Sequence, residues 1–229
     1  MVKGLMWFRA DLRIDDNPAL LEATNSCDEL IGIYIFSQKQ WNLHHESNVK
    51  QDFLLQNLVA LEKQLSKLHI PLIVLNTDSF LTLSEDLHKF IITHQITSCH
   101  WNNEFGVNEN KRDDEVETLL RAHSVQISKH HDQVVYEPGF LRTGQDKPFS
   151  VFTPFKRRWI ENFSMSFLDI DQVDKPLKKT NLTSDLSDLK LEKSHQVNMD
   201  AWPAGEVAAL ARLQEFLDHK INSYSESRN

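Results

Sequence analysis

The chain has 229 residues, 40% of them apolar and 25% charged, with a formal net charge of −8. That is the balance of an ordinary soluble globule, long enough for one sizeable domain with an appended segment. The negative charge argues against a chain that grips a phosphate backbone by itself, no stretch reaches the ~20 apolar residues of a membrane helix, and Arg9, Asp11 and Arg13 interrupt the first apolar run before it can act as a secretory leader.

Gly4-Leu5-Met6-Trp7-Phe8 is a short continuous apolar run, the pattern of a strand buried on both faces. A charged loop follows, and Asn17-Pro18 then reads as a helix N-cap with proline at the first helical position, where its missing N–H costs nothing. Leu30 to Phe36, rich in β-branched residues, is the second strand. The segment Gln40-Trp41-Asn42-Leu43-His44-His45 reads as the loop after it. Ser47 starts a long helix in which Leu54, Leu58, Leu61, Leu65 and Leu68 form one apolar stripe. Pro71 to Leu75 is the third strand, Phe80 to His94 a helix, Thr97 to Asn102 the fourth strand, Asn108 to His123 a helix, and Val125 to Ser128 the fifth strand. From about Ser164 the character changes, and residues 169–198 are polar without sustained periodicity, which predicts a long connector lying on the surface of something larger. A last amphipathic helix after Pro203 carries Leu210, Leu213, Phe216 and Leu217 on one side, and a polar, irregular run closes the chain.

Strand and helix alternating in this way predict an α/β fold: a doubly wound, Rossmann-like, five-stranded parallel sheet with helices on both faces and strand order 3-2-1-4-5. Such sheets bind ligands outside the carboxyl ends of the strands, where the order reverses. Two loops then face one crevice, Arg9 to Asp16 and Asn103 to Glu109, with the 40–45 segment close by. They offer carboxylates, an amide, an indole and imidazoles, which suits a flat heterocycle better than a phosphate. Neither G-x-G-x-x-G nor a P-loop occurs among the six glycines. Asn108-Glu109 admits two readings. One is a helix cap and a first-turn acid favoured by the helix dipole. In the other, Glu109 accepts paired hydrogen bonds from the amino-pyrimidinone edge of a pterin, with Asn108 adding a contact beside it. The paired histidines His44-His45 and His130-His131 point to opposite faces of any strand, and without H-E-x-x-H or C-x-x-C no metal site is expected. No nucleophile elbow occurs, and Arg9, Asp11, Arg13 and Asp16 read as ion pairs and caps at a strand end rather than as catalytic groups. Cys27 and Cys99, each among hydrophobic residues, read as buried thiols in a reducing compartment, so the expected location is cytoplasmic.

Four separated segments resemble the DNA photolyase and cryptochrome family. Trp7-Phe8-Arg9-Ala10-Asp11-Leu12-Arg13, with Asp16-Asn17 and Ala19-Leu20, is similar to the family's opening signature. Gln40-Trp41 through His44 resembles the segment after its second strand, and Val107-Asn108-Glu109 with Arg112-Asp113 the antenna loop of class I cyclobutane pyrimidine dimer photolyases that use a folate antenna. Val151-Phe152-Thr153-Pro154-Phe155-Lys156 with Trp159 is similar to a segment preceding the family's interdomain linker. The resemblance implies an α/β antenna domain at 1–163, a linker at 164–203 and, at 204–229, the start of a helical domain that holds FAD and takes up UV-damaged DNA. It implies 5,10-methenyltetrahydrofolate held by Asn108 and Glu109, with His44 lining that pocket, and Tyr224 as a first FAD contact. The resemblance further implies an intact, monomeric, membrane-free enzyme in which reduced FAD, excited through the folate, donates an electron that splits the dimer. No catalytic residue lies in this stretch, which as a fragment is not expected to repair DNA alone, and one wall of the antenna pocket comes from the helical domain. Gly106 departs from the bulkier residue expected in the antenna loop. The alternatives are a cryptochrome-type blue-light photoreceptor and a stand-alone nucleotide-binding module, the latter disfavoured by the missing glycine-rich loop.

Overall fold

The computed structural model describes residues 1–170, 172–187 and 202–227. Five strands, β1 (Lys3–Phe8), β2 (Glu29–Phe36), β3 (Leu72–Asn76), β4 (Ser98–Asn102) and β5 (Gln126–His130), form one sheet in the order β3-β2-β1-β4-β5. Every pairing is parallel, with Leu5 opposite Ile31 on one side and Cys99 on the other. The expected architecture is therefore the observed one.

Alternation along each strand divides the apolar side chains between two cores. Met6, Phe8 and Leu30 face α1 (Pro18–Ser26) and α3 (Asn48–Lys67), where Leu58, Leu61 and Leu65 of the leucine stripe are buried. Leu5, Trp7, Ile31 and Trp101 face α4 (Phe80–Thr93) and α5 (Val107–Ala122), meeting Leu83, Leu87, Val116 and Leu120. Cys27 and Cys99 are buried free thiols in different cores. Burial pushes the Cys99 thiol up to about 12, so it stays protonated. Asn17 caps α1 with Pro18 in its first turn, and Ser47 caps α3.

Several expectations are corrected. The 40–45 segment is helical as far as Leu43: Ser37 accepts from the Gln40 N–H and starts α2 (Gln38–Leu43), and His44 and His45 turn out of it. Asn108 is not the cap of α5; Gly106 occupies that position and Asn108 lies a residue inside the helix. After β5 the chain leaves the sheet for an excursion held by aromatic contacts. There Trp159 of α6 (Phe152–Asn162) meets Tyr136 edge-on at 5.6 Å and stacks on Phe163 at 5.2 Å. The closing run is not irregular, since a 3-10 turn at Ile221–Ser223 and a helical turn at Tyr224–Ser227 follow α7 (Glu206–His219).

The described part of the connector lies against the α/β domain. Val173 is buried in the α1/α3 core, and the Leu177 N–H donates to Leu68 O at 3.1 Å. Asp185 bridges Ile73, exchanging backbone hydrogen bonds of 2.9 Å with Leu72 and Val74. Ser184 and Asp185 thus cover part of the β3 edge, whose unpaired N–H and C=O groups would otherwise invite strand addition. The rest of the expected 164–203 linker, residues 171 and 188–201, lies outside the described residues, as do 228–229.

Candidate functional site

The carboxyl end of β1 is organised by a buried polar network. Asp11 turns back to accept the Arg9 N–H at 2.7 Å and also accepts Asn102 Nδ2 at 2.6 Å. Asn102, at the end of β4, donates to Asn17 Oδ1 at 2.8 Å and accepts the Ala19 N–H at 3.1 Å, tying the start of α1 to the neighbouring strand. Arg13 pairs with Asp132 after β5 at 2.5 Å and donates to the Asp16 carbonyl.

Above this lies a second layer. The guanidinium groups of Arg9 and Arg112 each sit 4.9 Å from the centre of the Trp7 ring, within cation–π range. Asp113 neutralises both, at 2.6 Å from Arg9 and 2.7 Å from Arg112, and Glu104 takes Arg112 at 2.8 Å. Burial lowers the Arg112 pKa, but Asp113 and Glu104 outweigh it and raise the group above its ordinary value. Arg9 is less fully served. Its Nε and Nη2 are buried without a hydrogen-bond partner, Nε lying 3.8 Å from Glu104. A buried charged donor left unmatched costs about 1–3 kcal/mol or more, and a ligand acceptor or ordered water is the usual remedy.

Arg9 lines a cleft of about 1000 Å³ over the ends of β1 and β2. Its floor is Trp7, Phe8 and Tyr34; one wall is Trp41, Phe53 and Leu54 from α2 and α3; the other is Phe80, Glu109 and Arg112. Trp41 is fixed edge-on against Phe36 at 4.6 Å. Burial, reinforced by Glu104, raises the Tyr34 phenol well above its ordinary value, so it serves as a neutral hydrogen-bonding group. Ala209, Leu210 and Leu213 of α7 form a roof. Apolar walls with a few convergent polar groups in a space of this size are what a small-molecule site requires.

Of the residues singled out in the sequence, Glu109 is half-buried and lines this cleft, whereas Asn108, next on the helix, is exposed and does not. A Cβ on Gly106 would collide with the Glu109 carboxylate, so the glycine is what lets Glu109 fold back over the helix start. His44 is exposed and bonded to Gln40 Nε2 at 2.7 Å, on the outer side of the α2 wall. Tyr224 is exposed at the far end of the chain, edge-on to Phe216 at 5.9 Å. Tyr34 and Glu206 carried no signal in the sequence: one is a strand residue among apolar neighbours, and the other reaches the site from 192 positions away. Among the described residues no group of three or more His, Cys, Asp or Glu is poised for a metal ion, and no helix is long and apolar enough to cross a membrane.

Fold and site together define a doubly wound α/β domain with a cleft over the carboxyl ends of its strands. The DNA photolyase family model matches residues 4–178, and the chain belongs to that family. It is 29% identical to a deoxyribodipyrimidine photo-lyase of Vibrio cholerae, over 98% of this chain and 48% of the relative. It is 31% identical to one of Buchnera aphidicola, over 98% of this chain and 47% of the relative. A crystal structure of a class III photolyase from Agrobacterium tumefaciens superposes with a TM-score of 0.83 at 26% identity, covering all of this chain and 47% of the other. The chain spans about half the length of the curated relatives it matches.

Proposed function

We propose that this chain is the light-harvesting half of a deoxyribodipyrimidine photolyase, the enzyme that splits UV-induced pyrimidine dimers in DNA with an electron from light-excited reduced FAD. The observation that carries the reading is the cleft of about 1000 Å³, lined by aromatic side chains together with Arg9, Glu109 and Arg112, on a chain whose family relatives bear that enzyme's name. Aromatic surfaces with a few charged groups among them suit a flat chromophore, and we assign the cleft to 5,10-methenyltetrahydrofolate. Glu109 would accept the paired N–H donors of the pterin edge, while Asn108 would touch it only from the rim and His44 would support α2 from outside. When bound, the folate supplies absorption in the near-ultraviolet; the residues here hold and orient it and keep water from its faces. Tyr224 alone does not make a flavin site, so FAD and damaged DNA are assigned to the part of the enzyme that this chain does not span. The chain's charge of −8 agrees, because a DNA groove needs a cationic face. The division at 1–163, 164–203 and 204–229, a monomeric intact enzyme and a cytoplasmic location belong to the same proposal.

The test is spectroscopic. Glu109→Ala in the intact enzyme should abolish the folate absorption band while leaving dimer repair under direct flavin excitation unchanged. Folate retention equal to wild type would refute the assignment of Glu109, and an intact, flavin-loaded enzyme that repairs no dimers would refute the activity.

A further inference from the structure

Charge is unevenly matched around the cleft. Among the described residues, seven carboxylates and four basic side chains line it, and no histidine does. Each of those four cations is committed to a carboxylate of this chain. Arg9 and Arg112 share Asp113, at 2.6 and 2.7 Å, and Arg112 also holds Glu104 at 2.8 Å. Arg13 holds Asp132 at 2.5 Å and lies 4.0 Å from Asp16, and Lys50 holds Glu46 at 2.7 Å. Two further acids are taken up by backbone donors: Asp11 accepts the Arg9 N–H, and Glu206 accepts those of Ile14 and Asp15 at 3.0 and 3.1 Å. Arg9 has spare N–H groups, but Asp113 meets its charge, so it calls for an acceptor atom rather than another negative charge. The Tyr34 phenol on the floor stays neutral. The carboxylates of Asp15 and Glu109 are left, each half-buried, with neither a cation nor a hydrogen-bond donor among the described residues.

We infer that the cleft selects folate by charge, holding the cationic 5,10-methenyl form over neutral folates and so resisting the opening of the methenyl bridge by water. Two unmatched carboxylates in a site walled by aromatic side chains favour a cation, because their attraction is screened less there than in bulk water. The bridge carries that cation. When it opens, water adds to the bridge carbon and the bond from that carbon to the ring nitrogen breaks. The nitrogen takes one proton and a second is released, leaving the neutral 10-formyl form. Both forms carry the same glutamate tail, so the tail cancels from the comparison. By linkage, a tenfold preference for the cation raises by about one unit the pH at which bound folate opens. Glu109 thus contributes charge as well as hydrogen bonds, and Asp15 adds charge from the β1–α1 loop. The inference rests on the reading of the cleft as a folate site.

The experiment uses the intact enzyme loaded with 5,10-methenyltetrahydrofolate and follows the near-ultraviolet band of the methenyl form, at equilibrium, as the pH rises. Free folate in the same buffers is the reference. The bound band should be lost about one pH unit or more above the free one. Glu109→Gln, of nearly the same shape, should bring the two about one unit closer, and Asp15→Asn about half a unit closer. Equilibrium dialysis against the methenyl and 10-formyl forms measures the same preference as a ratio of affinities, which stays readable where a variant binds both forms more weakly. Bound folate that opens at the pH of free folate, or a ratio unmoved by either substitution, overturns the selection and leaves the folate site standing. No binding of either form by the wild type overturns the site, and the selection with it.

Discussion

Asn17→Ala tests whether the β1–α1 loop is held by the network or merely accompanies it. The Asn17 side chain is fully buried. Its Oδ1 accepts from the Leu20 N–H at 3.1 Å and Asn102 Nδ2 at 2.8 Å, and its Nδ2 donates to the Arg13 carbonyl at 3.1 Å and, more weakly, to that of Asp11 at 3.4 Å. Loss of the cap alone is worth about 1 kcal/mol, and each of the two good interior bonds about another 1 kcal/mol. Asn102 keeps its bond to Asp11 at 2.6 Å, which limits its share. The expected destabilisation is about 2–3 kcal/mol, or roughly 5–10 °C in Tm for a chain of this size. Urea unfolding followed by far-UV circular dichroism and tryptophan fluorescence measures it, and coincident transitions license the two-state treatment. Asn17→Ser keeps a capping oxygen and should lie about midway. Asn17→Asp caps as well as asparagine in general, but here it turns a carboxylate toward two carbonyl oxygens and should be less stable than Asn17→Ser. A loss below about 1 kcal/mol for alanine, or aspartate above serine, would refute the network account.

Asp113→Ala leaves the buried guanidiniums of Arg9 and Arg112 without their shared carboxylate and should cost about 3–5 kcal/mol; Lys39→Ala, which breaks the exposed pair with Asp78, should cost under about 1 kcal/mol in the same melts. Gly106→Ala must displace the Glu109 carboxylate, so folate retention should fall as far as in Glu109→Ala while the urea midpoint barely moves; retained folate would show that Glu109 is not needed where it lies. His100 provides a pH test. Burial, with His130 adding, holds its pKa down to about 4, against about 6.5 in an unfolded chain. The folded chain keeps it neutral while the unfolded chain takes a proton. Its contribution is thus whole above about pH 6.5 and is lost as the pH falls toward 4, on the order of 3 kcal/mol. His100→Gln should flatten the urea midpoint across that window, and an unchanged slope would count against this account of the imidazole.

Strand positions and the buried face of α3 were legible because each depends on local pattern: continuous apolar runs for buried strands, a leucine stripe for α3, and Asn17-Pro18 and Ser47 as caps; the strand order followed from the doubly wound class that the alternation implies. Helix α2 was not, since six residues are too few to establish a helical period. The cap of α5 was misplaced because asparagine is the better capping residue in isolation. The helix starts two residues earlier, with Gly106 as its cap and the Glu109 carboxylate folded back into the space the glycine leaves. The strap at 173–187 has no periodicity to find, as it is held by backbone pairing to the β3 edge and by single anchors such as Val173. Within the site, Glu109 was reached through its motif, whereas the contact of Glu206 with the Ile14 N–H spans nearly the whole chain and becomes visible only in the fold.

The opening signature and the ligand site divide their work. Asp11, Arg13 and Asn17 spend their polar atoms on each other, on Asn102 and on Asp132. Only Arg9 keeps donors to spare. Residues that must hold a loop in one geometry are poorly placed to adapt to a ligand, because any change in them is paid in stability before it can alter recognition. The cleft walls are under no such constraint: Trp41, Phe53 and Glu109 come from three different helices packed over a finished frame. Changes there should retune which chromophore is held while leaving the fold intact, whereas changes in the signature should unfold the domain before they alter its ligand. The signature therefore identifies the family and supplies the floor of the cleft, while the walls that tune what it holds lie outside it.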